Sequence, residues 1–392
     1  MPAEPGRHLV GVLCLLATVG LAGSFLYLPA LPLLAEDFGI GEAGAQTTLA
    51  AYMLGTCVGF ALYGHLADVH GHRRMFWIAG AVFVSASLAG AMAPDLASLN
   101  VARFVQGAGS VAGIITARAS IRTLVPPARA PQAMAALTAV VALAPAASPL
   151  VGALVLGLAD WRATFLVAAG LGLGAIAGGL AVLPRGVRVA AEDRPRHVLR
   201  TLARSSTFRG CVMIAASCNA AFVVLMAGSP FVFIVTFGLS ELAYTALLAA
   251  MLVAFAGLAA VSGHLLVRLG ARRLMGLALI PVIASALALG VVGMALPALW
   301  PLYAVLFVLI ASMGLVVPTG HTIMLAPFPD MAGTAVGVAM LVNTIMGALA
   351  LVTYGLVAAG SVTGFALAVA AFSLAILGGW AVLRAQPEGQ HA

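Results

Sequence analysis

The stretch GHLADVHGHRRM, beginning at Gly64, sets His65, His70 and His72 around Asp68. Imidazoles beside a carboxylate could ligate a metal or move protons. Catalysis needs His, Asp, Glu, Cys or Ser gathered within mutual reach, and this is the only histidine cluster in the sequence. Cys14, Cys57, Cys211 and Cys218 lie inside apolar segments without a CxxC pair. They read as small buried hydrophobes, so no disulfide, zinc site or other cofactor is implied. The phrase also recurs as GHLLVRLGARRLM, where Gly64, His65, Leu66, Gly71, Arg73 and Arg74 return as Gly263, His264, Leu265, Gly270, Arg272 and Arg273. Written twice, it reads as a mechanical part and not as a metal site. Its glycines permit a tight turn. Asp68 could pair with an arginine or cap a helix N-terminus and so favour one of two states. The second copy has Val267 in place of Asp68, which makes such a latch one-sided.

The chain that positions this phrase is 63% hydrophobic and 8% charged, against about 25% charged in a soluble domain. Most of its surface must face lipid. Runs of about 20 apolar residues, enough to cross about 30 Å of hydrocarbon, occur twelve times. In the first half they lie near 9–34, 44–67, 75–93, 97–121, 132–158 and 163–183, and in the second near 210–236, 242–267, 274–295, 300–325, 332–357 and 362–383. The run 9–34 reads as the first span and not as a cleaved leader. A polar, arginine-rich linker over 184–209 separates two halves, 1–183 and 210–392.

The 19 basic residues are all arginines, an absence of lysine read as codon bias in a high-GC bacterium. A formal charge of +7 could suggest nucleic acid, but the arginines sit in short gaps between apolar runs, where topology uses them. With the N-terminus in the cytoplasm, sixteen arginines fall inside and only Arg162 falls outside, while Arg103 and Arg118 remain within the fourth run. The expected fold is therefore an all-α membrane protein of twelve transmembrane helices, with both termini cytoplasmic. The polar phrase joins spans two and three and again eight and nine, 199 residues apart. That offset makes the halves parallel repeats, two pseudo-symmetric six-helix bundles as in a rocking transporter.

GHLADVHGHRR resembles the loop signature of the major facilitator superfamily, departing from it at Val69 and His72. RFVQGAG, with Arg103, Gln106 and Gly107, resembles the arginine motif of proton-linked members. APAASPLVG, from Ala144 to Gly152 with Pro145 and Pro149, resembles the antiporter motif in double-proline form. AGSPFVF around Ser229, YLPALP in the first span and AGTAVG after the tenth complete a pattern similar to the Bcr/CflA drug-resistance branch. The resemblance covers nearly the whole chain. It implies the major facilitator fold, efflux of small molecules, proton antiport, a monomer, and a bend at Pro145 and Pro149 that seals the fifth helix against the second half.

The branch usually carries an aspartate where this chain has Phe25. All twelve acids fall at membrane edges: Glu36, Asp37, Glu42, Asp95, Asp160 and Glu241 outside, and Glu4, Asp68, Glu192, Asp193, Asp330 and Glu388 inside. No carboxylate stands at mid-membrane, where burial would raise its pKa toward neutral. The ionisable groups left inside are Arg103, which could hold an anionic group or a carbonyl; Arg118, one turn from the inner face; and His321, which follows Pro318 and can titrate near neutral pH. Phe25, Tyr27, Tyr52, Met53, Asn219, Phe222, Met226, Phe231 and Asn343 add aromatic, thioether and amide groups to aliphatic helices and are the candidate cavity residues.

The expected function is efflux of a drug or metabolite across a bacterial inner membrane, with protons and the bilayer as partners and no nucleic acid. The absence of a counter-charge for a cation favours neutral or anionic cargo. The alternatives are a facilitator or importer of a neutral or anionic metabolite and, from other classes, a membrane enzyme or a non-transporting sensor.

Overall fold

The computed structural model describes residues 5–126, 129–183, 196–328 and 331–385. The helices in chain order are α1 (Pro5–Phe25), α2 (Leu31–Asp37), α3 (Glu42–His70), α4 (His72–Ala91), α5 (Leu96–Ser110), α6 (Ala112–Leu124), α7 (Ala130–Leu156), α8 (Arg162–Val182) and α9 (Arg196–Arg204). They continue as α10 (Ser206–Pro230), α11 (Glu241–Leu269), α12 (Ala271–Ala295), α13 (Leu299–Leu325), α14 (Ala332–Val357), α15 (Val362–Leu374) and α16 (Ile376–Arg384). Two compact units result: residues 1–192 with 241–246, and residues 193–240 with 247–392.

Among the described residues, ten segments are long and apolar enough to cross a membrane, and eleven if the pair 132–138 and 143–156, bent by 42°, counts as one. The sequence runs give twelve. The difference lies at 97–121, which breaks at Val111 into α5 and α6 of 15 and 13 residues. Crowding explains the break. A Cβ on Gly107 would overlap the Tyr52 carbonyl of α3, and one on Gly113 the Leu16 carbonyl of α1. One on Gly109 would lie 2.6 Å from the Ala79 carbonyl of α4. Glycines that admit three neighbouring backbones also weaken the helix that carries them.

The first run is interrupted too. α1 stops at Phe25, a 3-10 turn covers Leu28–Ala30, and α2 resumes at Leu31. Pro29 and Pro32 lack the N–H that would continue the ladder. The Leu26 N–H reaches back to Ala22 (2.9 Å), and the last carbonyls of α1 are left for other donors.

The repeated phrase forms the same turn twice. Gly71 ends α3 with φ +87°, and Gly270 precedes α12 with φ +76°. The Gly71 N–H donates to Ala67 (2.8 Å) and the Gly270 N–H to Leu266 (2.9 Å). The Met75 and Leu274 N–H groups return to Gly71 and Gly270, at 3.1 and 3.0 Å. In the second unit α10 is the central helix, buried along most of its length. It passes beyond Pro230 into a π-helical turn over Phe231–Thr236.

Candidate functional site

The site grows from one face of α5, where Arg103 and Gln106 stand one turn apart. Arg103 is 1% exposed. Its Nη1 donates to the Gly23 carbonyl (2.8 Å) and to Gln106 Oε1 (2.6 Å), and its Nε to the Thr48 carbonyl (3.4 Å). Gln106 Nε2 passes the network on to Ser87 Oγ (2.8 Å), which donates to the Phe83 carbonyl (2.7 Å). Backbone or side chains of α1, α3 and α5 thus meet at one guanidinium, and Gln106 links it to α4.

Aromatic rings complete the enclosure. The guanidinium carbon lies 4.1 Å from the Tyr27 ring centroid, 4.3 Å from that of Tyr52 and 5.7 Å from that of Phe165. Ring faces attract a cation, most strongly when it is desolvated. Each tyrosine is locked by its hydroxyl. Thr48 Oγ1 uses its proton on the Ala45 carbonyl (2.7 Å), so Tyr27 donates to Thr48 (3.1 Å), and Tyr52 donates to the Gly20 carbonyl (2.5 Å).

No carboxylate joins this network among the described residues. Charge is balanced differently: Gly23 supplies one of the orphan carbonyls at the C-terminus of α1, where the helix dipole favours a cation. Arg103 therefore occupies the carbonyl option of the sequence reading. It is closed off from solvent in this structure, and its Nη2 has no hydrogen-bond partner. Tyr27 and Tyr52, expected to line a cavity, are instead enclosed and stacked on Arg103. Met226 is also fully enclosed, because α10 is buried on all sides from Val223 to Pro230.

The remaining candidates fall in several places. Phe25 ends α1 and is half-buried, as is Met53 on α3. In the second unit Asn219 Nδ2 donates to the Asn343 backbone carbonyl (2.8 Å), bringing α10 and α14 together, and Asn343 Oδ1 is enclosed without a partner. Phe222, Phe231 and His321 are half-buried on the elements the sequence assigned them. Pro145 and Pro149 lie inside α7. Gly152 packs on the first run: a Cβ there would overlap the Leu26 carbonyl and lie 3.4 Å from Pro29 Cγ. Arg73 is half-buried, and Arg74, Gly263 and Arg273 are exposed. The environment of Gly64 and the side chains of Asp68, His65 and His72 lie outside the described residues, as does 184–195 of the linker.

Sequence reasoning missed a second cluster. Asp37 Oδ2 accepts from Trp161 Nε1 (3.1 Å) and Arg162 Nη1 (2.8 Å), and the Arg162 guanidinium lies 4.3 Å from the Trp161 ring. Trp161 meets Phe165 (6.0 Å) and Phe165 meets Tyr27 (5.8 Å), so aromatic contact runs from this clasp to Arg103. The signal was available: Arg162 is the single arginine assigned to the side that holds Asp37.

Two bundles of long apolar helices define a polytopic membrane protein. The Major Facilitator Superfamily profile matches residues 13–351, and the chain belongs to that family. It is similar to "Uncharacterized MFS-type transporter YdgK" of Bacillus subtilis (strain 168), 25% identical over 356 residues and 86% of each chain. "Multidrug resistance protein D" of Escherichia coli (strain K12) is 29% identical over 166 residues, 42% of each chain. "Multidrug resistance protein Stp" of Mycobacterium tuberculosis (strain CDC 1551 / Oshkosh) is 34% identical over 139 residues, 35% of this chain and 26% of that protein. The fold is similar to the crystal structure of a D-xylose-proton symporter, with TM-score 0.79 and 16% identity over 98% of this chain and 99% of that one. Homologues named for multidrug resistance thus exist at low identity, and the structural likeness establishes the fold alone.

Proposed function

We propose that the chain is an efflux transporter of the bacterial inner membrane, related to the Bcr/CflA branch, that exports small amphiphilic compounds by alternating access with proton antiport. In this reading it is a monomer that crosses the membrane twelve times with both termini cytoplasmic. Residues 1–183 and 210–392 are the two halves, joined by the linker 184–209. Gly64, Asp68, Gly71, Arg73 and Arg74, and their counterparts Gly263, Gly270, Arg272 and Arg273, form the two gating loops. Pro145, Pro149 and Gly152 shape the helix that limits leak. Relatives named for multidrug resistance support the direction of transport.

The observation that carries the reading is the Arg103–Gln106 network, the motif that resembles proton-linked members, built around a cation held by the helix-end carbonyl of Gly23 and the Gln106 side chain. A transporter whose buried charge is positive favours neutral or anionic cargo, because a cationic drug in hydrocarbon would lack a counter-charge. His321 is the candidate proton carrier in this reading, since histidine is the side chain whose unperturbed charge change falls near physiological pH and Phe25 has taken the place of the usual acid.

Phe25 also favours a second reading, a facilitator or importer with no proton flux. Inside-out vesicles energised with a proton gradient separate the two. If a neutral or anionic compound dissipates the gradient, and His321→Ala abolishes that response, antiport stands. If substrate moves without proton flux, even with the gradient collapsed by ionophore, antiport is wrong and the facilitator reading replaces it.

A further inference from the structure

We infer that α9 and the arginine-rich end of the second unit form a docking surface for anionic phospholipid headgroups. The inference rests on reading α10 as a membrane span and on no assumption about substrate.

Arginine recurs every four residues along RHVLRTLAR, at 196, 200 and 204. That spacing places the three on one helical face, with Leu202 opposite. The structure follows the pattern: Leu202 is 1% exposed, while Arg200 and Arg204 are exposed. The helix is tied directly to the span. The Ser205 N–H returns to Thr201 (3.2 Å) and Leu202 (3.1 Å), and the Ser205 hydroxyl caps α10 at the Phe208 N–H (3.2 Å). Arg209, also exposed, sits four residues into α10. Arg204 and Arg209 thus flank the Ser205 junction, five residues apart, where α9 joins the span.

Packing gathers more arginine at this end. A Cβ on Gly210 would lie 2.8 Å from Leu383 Cγ, which brings the end of α16 beside Arg209. Arg384 follows, with its guanidinium 5.1 Å from the Trp380 ring. A Cβ on Gly276, one turn from Arg272 and Arg273 at the start of α12, would lie 3.3 Å from Trp380 Cζ2. The described residues of this end include no carboxylate, and Glu192, Asp193, Asp330 and Glu388, assigned to this side from the sequence, lie outside the described residues. Membrane orientation needs only an excess of arginine in the loops. A short helix with Leu202 enclosed and Arg200 and Arg204 exposed, joined directly to a span, also has the form of an interfacial anchor. Phospholipid is the occupant that charge and the direct junction with a span both select, since soluble anions would gain nothing from Trp380 or from proximity to the hydrocarbon.

The test uses the full-length chain in nanodiscs of phosphatidylcholine, alone or doped with phosphatidylglycerol, and reads phosphatidylglycerol retained through detergent extraction by native mass spectrometry. We expect Arg200→Gln/Arg204→Gln to weaken retention about ten- to thirty-fold, and Arg200→Lys/Arg204→Lys to preserve it. Retention by the wild type should fall as salt rises. Wild-type retention in a folded Gln variant, or loss in a folded Lys variant, overturns the proposal. So does displacement of the lipid by millimolar inorganic phosphate, which would mark a simple anion site. If the Gln variant fails to fold, the wild type still decides: salt-insensitive retention refutes electrostatic docking.

Discussion

Arg103 Nη1 donates to the Gly23 carbonyl at 2.8 Å, and so a buried arginine of α5 caps the broken end of α1. Arg103→Lys keeps the charge but cannot reach Gly23, Gln106 and Thr48 together with a single ammonium. A lost hydrogen bond to a charged group is worth about 1.5–3 kcal/mol, roughly a tenfold effect or more. Transport by Arg103→Lys should fall at least about tenfold on that scale, measured in vesicles against equal amounts of inserted protein. Wild-type rates in the lysine variant would show that charge alone suffices.

How much of this arrangement could be read from the chain depends on the residue. Arg103 was legible as a charge inside an apolar run, and Gln106 through the resemblance of RFVQGAG to the arginine motif of proton-linked members. Gly71 and Gly270 were legible because the phrase around them is repeated. The role of the tyrosines was not. A helix that is apolar all round has no preferred face, so nothing in the sequence distinguishes a ring stacked on Arg103 from one that lines a cavity. The break at Val111 was hidden for a related reason: glycine packing depends on which backbones approach, and Tyr52, Ala79 and Leu16 are remote in sequence. The turn from α1 to α2 could have been seen in Pro29 and Pro32, which stand three residues apart.

Tyr27 is held twice, by its ring on Arg103 and by its hydroxyl on Thr48. Tyr27→Phe keeps the ring and should leave transport within about threefold, with a stability loss of about 0.5–1.5 kcal/mol for one hydrogen bond. Tyr27→Leu removes the cation–π contact, worth up to about 2 kcal/mol when desolvated, and should be clearly worse in both assays. Equal behaviour of the two variants in melting and transport would mean that stacking contributes nothing.

Gly71 and Gly270 adopt positive φ, yet a Cβ at either would meet nothing within 4 Å. Alanine there tests backbone strain without a steric clash. Each substitution should destabilise by about 1–3 kcal/mol, and the two should match, because the turns are built alike. Thermal melting in detergent decides this, and a neutral Gly71→Ala would show that the turn adapts.

Gly152 presents the opposite case, since its φ is ordinary and the obstacle is the Leu26 carbonyl. Gly152→Ala must push α7 away from the end of α1, at a cost of about 1–3 kcal/mol or more for overpacking. Gly174, on α8, has open space around it and serves as the control. Gly174→Ala should be neutral or stabilising by up to about 1 kcal/mol. Similar melting of the two variants would contradict the close approach.

Asp95 caps α5 from outside the apolar segments. Its carboxylate accepts from the Ser98 N–H (2.8 Å), and that bond, with the Ser98 hydroxyl, holds its pKa below the ordinary 3.8. A carboxyl depressed on folding adds stability at pH above its ordinary value and loses it as pH falls through the folded value. Asp95→Ala should therefore melt below the wild type near neutral pH, with the gap closing well below 3.8. Asp95→Asn keeps an acceptor that does not titrate, so its melting should lack this acid-dependent component. A gap between Asp95→Ala and wild type that stays constant through the acid range would show that the cap acts through geometry and not through its charge.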